Sequence, residues 1–202
     1  MIERLSQAAQ RPVSRETFER LDLYVQLLRE ENARQNLVSE ATLEHVWDRH
    51  ILDSAQLMRF EPRGGASWVD VGSGAGLPGI VIACLAEGPV TLIEPRRLRA
   101  DFLHKACESL DLRASVVCSK AERVEGSFEV ITARAVAQLA QLLKISAHLS
   151  TRKTVWALPK GRSGSAELAE AARTWQFESR EEPSCTDPQS TILVLTGVGA
   201  RR

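Results

Sequence analysis

Tyrosine occurs once in this 202-residue chain, as Tyr24, and methionine only twice. Four residues beyond Tyr24 stands Leu28, so the Tyr-x-x-x-Lys pair of one dehydrogenase class is excluded. Neither sign of charge is in excess: 26 Lys plus Arg against 26 Asp plus Glu give a net charge of zero. A basic field over the whole molecule is thereby excluded, and any nucleic-acid contact has to use local patches. The four cysteines (Cys84, Cys107, Cys118, Cys185) form no C-x-x-C pair and have no histidine cluster beside them. Their spacing offers no metal site. They read as small buried apolar residues of a reducing compartment. Long apolar runs are missing too. The longest uncharged one, 77–86, is far too short to cross a bilayer. The opening stretch MIERLSQAAQRPVSRE is charged and has no apolar centre, unlike a signal peptide. These absences point to a cytoplasmic protein with no membrane partner and, by default, a monomer.

What is present is ordinary for one domain with an extension: 44% hydrophobic and 26% charged residues. The first 60 or so residues read as helical. Ser14 is placed to cap a helix whose Phe18, Leu21, Val25 and Leu28 share a face. LEHVWDRHILDSAQLM (43–58) again has helical spacing. EPRGG (61–65) ends this part, which suggests a helical cap over 1–63 and a second segment over 64–202. From there short apolar runs alternate with amphipathic ones. Strands are expected at 67–71, 90–94, 114–118, 128–133, 154–158 and 191–198, with a further one at 175–180. Helices are expected at 79–87, 96–110, 135–149 and 165–175. Such alternation implies βαβ units, a mostly parallel sheet and an α/β fold, closed by an antiparallel hairpin.

The chemistry centres on DVGSGAGLPG (70–79), which lies between the first strand and a helix. A ligand there meets free backbone N–H groups and the positive end of the helix. Glycine allows positive φ and a close approach to the backbone. Gly74, Gly76 and Gly79 satisfy G-x-G-x-x-G. Glu94 ends the second strand, 22 residues beyond Gly72, where a carboxylate accepts bonds from ribose hydroxyls. The pair argues for an adenosine-containing cofactor, either NAD or S-adenosylmethionine. About 70 residues follow the fourth strand, too few for a second nucleotide-binding half. Methyl transfer suits that economy better than hydride transfer.

These motifs, together with NLVS (36–39), RHILDS (49–54), ITARAVA (131–137) and LPKG (158–161), make the chain similar to the RsmG/GidB family. That family comprises methyltransferases acting on guanine N7 in 16S ribosomal RNA of the small subunit. The resemblance implies a Rossmann-like class I S-adenosylmethionine-dependent fold with a seven-stranded, mostly parallel sheet and an N-terminal helical cap. It implies S-adenosylmethionine as cofactor, S-adenosylhomocysteine as product, and the small ribosomal subunit as partner. Gly72, Gly74, Gly76, Leu77 and Glu94 would hold the cofactor, Ala121 and Glu122 would flank its adenine, and Arg134 would sit at the mouth. The family usually has Arg where this chain has Lys120, and often Asp at the position of Glu94.

Substrate residues are read from chemistry. Guanine N7 carries a free lone pair at neutral pH, so no general base is needed and positioning can supply most of the rate. Arg134 and Lys160 are the expected positioning residues. Lys160 follows the fifth strand at the carboxyl edge, where open α/β sheets bind ligands. Arg152, Lys153 and Arg162 share its acid-free stretch (150–162), and a second basic run spans 95–105. His50 and Asp53 are neighbours at i,i+3, and Arg49 is four residues from Asp53 and able to pair with it. These three and Asn36 are either a polar cluster that seats the cap or direct substrate contacts. Three other readings stay open: the same fold acting on a protein or small molecule, a non-catalytic nucleotide- or RNA-binding module, and an NAD oxidoreductase.

Overall fold

The short apolar runs become strands, and alternation within them divides the core in two. A computed structural model describes residues 1–201. Arg202, the end of the second expected segment, lies outside the described residues. The strands are β1 (Trp68–Val71), β2 (Val90–Ile93), β3 (Ala114–Val117), β4 (Val130–Thr132), β5 (Val155–Lys160), β6 (Trp175–Pro183) and β7 (Thr191–Ala200). Side chains along a strand point alternately to the two faces. Trp68, Leu92, Val130, Ala157 and Val194 accordingly join one buried cluster. Val69, Ile93, Ile131, Trp156 and Leu193, each one position away, join the other.

The strands form one sheet in the order β3-β2-β1-β4-β5-β7-β6. Neighbours from β3 to β5 pair in parallel, while β7 runs antiparallel to both β5 and β6. The expected closing hairpin is present, and its register shifts between Gln176 and Glu178. Strand order reverses at β1, which lies between β2 and β4. Open α/β sheets hold ligands at such a point, outside the carboxyl ends of the strands.

Helices α1 (Ile2–Ala9), α2 (Arg15–Gln35) and α3 (Glu40–Leu43) precede the sheet. Ser14 caps α2 as expected, its side chain accepting from the Thr17 amide at 3.1 Å. Leu21, Tyr24 and Leu28 on α2 are fully buried in the same cluster as Ile80 and Leu103. Those two belong to α5 (Gly79–Leu85) and α6 (Arg97–Ser109). The other face carries α7 (Leu139–Ser146) and α8 (Gly164–Ala171).

Two helices expected from periodicity are different in kind. Residues 43–58 are not one α-helix: a π-helical turn (Trp47–Leu52) runs into a single turn of α-helix, α4 (Asp53–Ala55), and a 3₁₀ segment (Gln56–Phe60). Apolar spacing alone cannot separate these forms, because each keeps one face buried. π turns occur often at functional sites. The helix expected over 135–149 begins only at Leu139. Ala135 takes a φ of 55°, and a residue in the left-handed region cannot sit in a right-handed helix.

Cysteine burial also departs from expectation. Cys84 and Cys107 are buried, and burial pushes their thiols up to about 12 and about 11. Cys118 and Cys185 are exposed.

Candidate active site

The glycine loop is built from backbone bonds that no side chain can replace. The amides of Gly72 and Ser73 both donate to the Ile93 carbonyl, at 2.8 and 2.9 Å, which fixes the exit from β1 against β2. Gly72 has a φ of 70°, and a Cβ there would stand 2.6 Å from Cγ2 of Val136. Gly76 has a φ of 91°, and its Cβ would stand 2.5 Å from Cγ1 of Ile80. Only glycine meets both demands without strain. The lone tyrosine belongs here: fully buried Tyr24 donates its hydroxyl to the Ala75 carbonyl at 2.8 Å. Gly76 lines none of the cavities around the loop and shapes it from behind.

Beneath the loop lies Asp70. Its Oδ2 accepts from the Gly79 amide at 3.1 Å, and its buried Oδ1 has no partner. Burial pushes its carboxyl up to about 7. The loop motif contained Asp70, yet nothing in its spacing marked it as a group that titrates near neutrality.

Glu94 is only 3% exposed. Its Oε2 accepts from the Gly74 amide and its Oε1 from the Arg96 amide, each at 2.8 Å. A carboxylate oxygen accepts two bonds, so each keeps one acceptor position free. Glu94 lines a cavity of about 340 Å³ together with Gly72, Arg96, Ala121, Glu122 and Val136. A second cavity of about 510 Å³ adjoins it, lined by the loop from Gly72 to Ala75 and by Leu77, His50, Asp53 and Arg134. Gly72, Arg99 and Ala135 border both. The paired acceptors suit a ribose diol, and the two cavities together suit an adenosine with a polar tail. S-adenosylmethionine fits these residues.

Arg134 follows β4 and is the centre of a polar cluster. It donates to Asp53 Oδ2 at 3.3 Å, to the Arg49 carbonyl at 3.4 Å, and from Nη2 to His50 Nδ1 at 3.1 Å. An arginine only donates, so Nδ1 must accept and the imidazole proton sits on Nε2. That Nε2 is buried with no partner. Burial first, then Arg134 and Arg49, push His50 down to about 4. Asp53 also accepts from Gln56 at 2.9 Å and from Thr186 at 3.0 Å.

The expected Arg49–Asp53 pair does not form. Arg49 pairs with Asp187 at 3.3 Å instead. Other donors occupy Asp53, namely Arg134, Gln56 and Thr186, and Arg49 reaches outward from the π turn. His50 and Asp53 likewise meet through Arg134 and not directly. Asn36 is the left-handed C-cap of α2, with φ 49°, and lines no cavity of the cleft. Its neighbours Leu37, Val38 and Ser39 do.

A third cavity of about 590 Å³ lies on the far side of Arg134 and contains Lys160. Lys160 stands at the carboxyl edge as expected, but not as a free cation: it pairs with Glu167 at 2.8 Å and donates to the Ala137 carbonyl at 3.1 Å. Sequence reading missed Glu167, because helix periodicity does not say which strand end a helix start will face. Arg162 bonds Gln189 near the same edge. Arg152 and Lys153 precede β5 and so lie at the opposite, amino edge of the sheet, away from the cleft. They form no single patch with Lys160, because β5 runs the length of the sheet between them. In the other basic run, Arg97 pairs with Asp101 at 2.9 Å, while Arg99 turns toward the cleft.

Among the described residues, no cluster of His, Cys, Asp or Glu could hold a metal ion, and no helix is long and apolar enough to cross a membrane.

Sheet order, glycine loop and acidic strand end define a Rossmann-like S-adenosylmethionine-dependent methyltransferase. Solved structures share the fold. A ribosomal protein L11 methylase from Lactobacillus delbrueckii subsp. bulgaricus matches with TM-score 0.58 and 14% identity over 76% of this chain and 79% of that one. A mutant of MtNAS in complex with S-adenosylmethionine matches with TM-score 0.58 and 18% identity over 88% of this chain and 74% of that one. Sequence narrows the class. The family model for GidB, rRNA small subunit methyltransferase G, matches residues 17–192. Ribosomal RNA small subunit methyltransferase G of Zymomonas mobilis is 43% identical over 94% of this chain and 90% of its own length. The namesake from Novosphingobium aromaticivorans is 46% identical over 88% and 80%. The chain belongs to the GidB family of small-subunit rRNA methyltransferases.

Proposed function

We propose that the protein methylates N7 of a guanine in 16S rRNA, leaving S-adenosylhomocysteine, with residues 64–202 as the catalytic domain and 1–63 as its helical cap. The observation that carries this reading is the arrangement around Arg134, which engages both His50 and Asp53 and so leaves neither as a general base. His50 has its Nδ1 lone pair occupied by Arg134 and is pushed down to about 4. Asp53 accepts from three donors. Guanine N7 needs no proton removed, so a site that positions and does not deprotonate matches that nucleophile.

Gly72, Gly74, Leu77, Glu94, Ala121 and Glu122 would hold the cofactor, and Gly76 would set the loop that they line. When bound, S-adenosylmethionine supplies an electrophilic sulfonium methyl group. Glu94 would accept from the sugar hydroxyls, and it ties the loop down through the Gly74 and Arg96 amides. Arg134 stands between the cofactor cavities and the third one, where it orients the two partners. It is held by Asp53 and His50, and charge-assisted bonds of this kind fix a guanidinium well. The target base has to leave its stack to reach the third cavity. Arg49, Arg162 and Asn36 lie toward the rim and would meet the RNA around that base. The cleft is complete within one chain, which supports action as a monomer, and a ribosomal substrate supports a cytoplasmic location.

The test incubates the protein with labelled S-adenosylmethionine and small subunits from cells lacking the modification. Label is expected at a single guanine N7. Label that stays out of RNA, or enters at another atom, refutes the reading.

A further inference from the structure

The third cavity contains an ion pair whose unused valences are complementary to one base edge. Lys160 and Glu167 are 12% and 14% exposed and both line it. An ammonium has three protons. Lys160 gives one to the Ala137 carbonyl and one to Glu167 Oε2, which leaves one. Oε2 of Glu167 is filled by Lys160 and by the Leu139 amide, at 2.8 Å each. Oε1 accepts only from Ser163, at 2.9 Å, and keeps one acceptor position. Burial would raise the Glu167 carboxyl, but the bonds from Lys160 and Ser163 outweigh it and hold it below its ordinary value. Glu167 therefore stays ionised at neutral pH, and the pair presents one donor beside one acceptor.

We propose that Lys160 and Glu167 are the guanine reader of this enzyme, Lys160 donating to O6 and Glu167 accepting from N1–H. The proposal rests on the guanine-N7 reading above and adds how the base is chosen. Adenine presents the reverse pattern, a 6-amino donor beside an N1 acceptor, and is refused by both groups. Contacts to O6 and N1 leave N7 unobstructed, which a bidentate grip on O6 and N7 would not. Arg134 borders both this cavity and the loop cavity, so a base read here lies next to the proposed cofactor site. Val136, Pro159 and Ile192 supply apolar walls for its faces.

The test ligates small-subunit rRNA with guanosine, inosine or 2,6-diaminopurine riboside at the target position, all three retaining N7. Inosine keeps O6 and N1–H, whereas diaminopurine reverses both. The wild-type enzyme is expected to methylate inosine within about threefold of guanosine and diaminopurine about 100-fold more slowly, the scale of mispaired polar groups in a recognition site. Glu167→Gln and Lys160→Met are each expected to reduce that preference at least tenfold. Wild-type enzyme that methylates all three bases alike overturns the proposal and leaves guanine-N7 transfer standing. Variants slowed equally on all three bases overturn it too, since that is the signature of a pair that merely ties α8 to β5. Methyl found at an atom other than N7 overturns both readings.

Discussion

Replacing Arg134 by methionine should change two observables together. The substitution keeps an unbranched chain but removes the donors to Asp53, His50 and the Arg49 carbonyl. His50 sits at about 4 because burial disfavours its charged form first, and Arg134 and Arg49 add to that. Its full displacement from 6.5 corresponds to roughly 3 kcal/mol, and screening at the cleft wall leaves roughly half of that. The buried ring persists in the variant, so His50 should climb only part of the way back toward 6.5. The sign for stability follows. Between about 4 and 6.5 the unfolded chain binds a proton that folded His50 refuses, so this contribution is present above 6.5 and is lost as pH falls toward 4. In the variant that loss is smaller. Nitrogen-detected NMR of the imidazole should find wild-type His50 neutral at pH 6 with its proton on Nε2. Activity at neutral pH should fall about 100-fold in kcat/KM, roughly 2.7 kcal/mol of transition-state stabilisation. A wild-type His50 that titrates near 6.5, or a variant with unchanged titration and full activity, would refute the reasoning.

Other perturbations probe separate parts of the site. Asp70, pushed up to about 7, has the opposite sign to His50: its contribution is full below 3.8 and fades as pH rises through 7. Denaturant titrations should therefore show Asp70→Asn losing less stability than wild type between pH 5 and 8. Gly79→Ala would put a methyl 2.3 Å from Leu92 Cδ2 and 2.6 Å from Asp70 Oδ2, so thermal unfolding should register a loss of about 1–3 kcal/mol. Fully buried Gln56 donates to Asp53 and Ser184 and accepts from the Cys185 amide. Gln56→Ala should cost about 3 kcal/mol in chemical denaturation, because several buried partners lose their bonds. Glu94→Gln should weaken calorimetric binding of S-adenosylhomocysteine about tenfold or more, since one acceptor for the sugar becomes a donor.

How far the sequence could be read depends on the range of the interactions involved. The βαβ pattern, the strand order it permits and the Gly72–Glu94 relation are local: each follows from a few residues of periodicity or from the fixed length of one unit. Ser14 at its cap is local as well. The polar cluster around Arg134 is not. Arg134 meets His50 and Asp53 across more than 80 positions of chain, at sequence separations of 84 and 81. The π turn that presents them interrupts a spacing that reads as plain α-helix. Lys160 was legible as a cation at the carboxyl edge, but its neutralising partner sits on the next helix, and only packing of α8 decides that Glu167 faces inward. Arg152 and Lys153 show the converse error. They are within eight positions of Lys160 in sequence, yet a strand between them places them at the other edge. Sequence proximity is thus a sound guide along a loop or one face of a helix, and a misleading one across a strand of a parallel sheet. For that reason the proposed cofactor half of this cleft, made from one loop and the next strand end, is the part whose layout the chain shows most directly. The proposed substrate half is assembled from the cap, β4, β5, α8 and the loop before β7, and becomes visible only when those five parts are brought together.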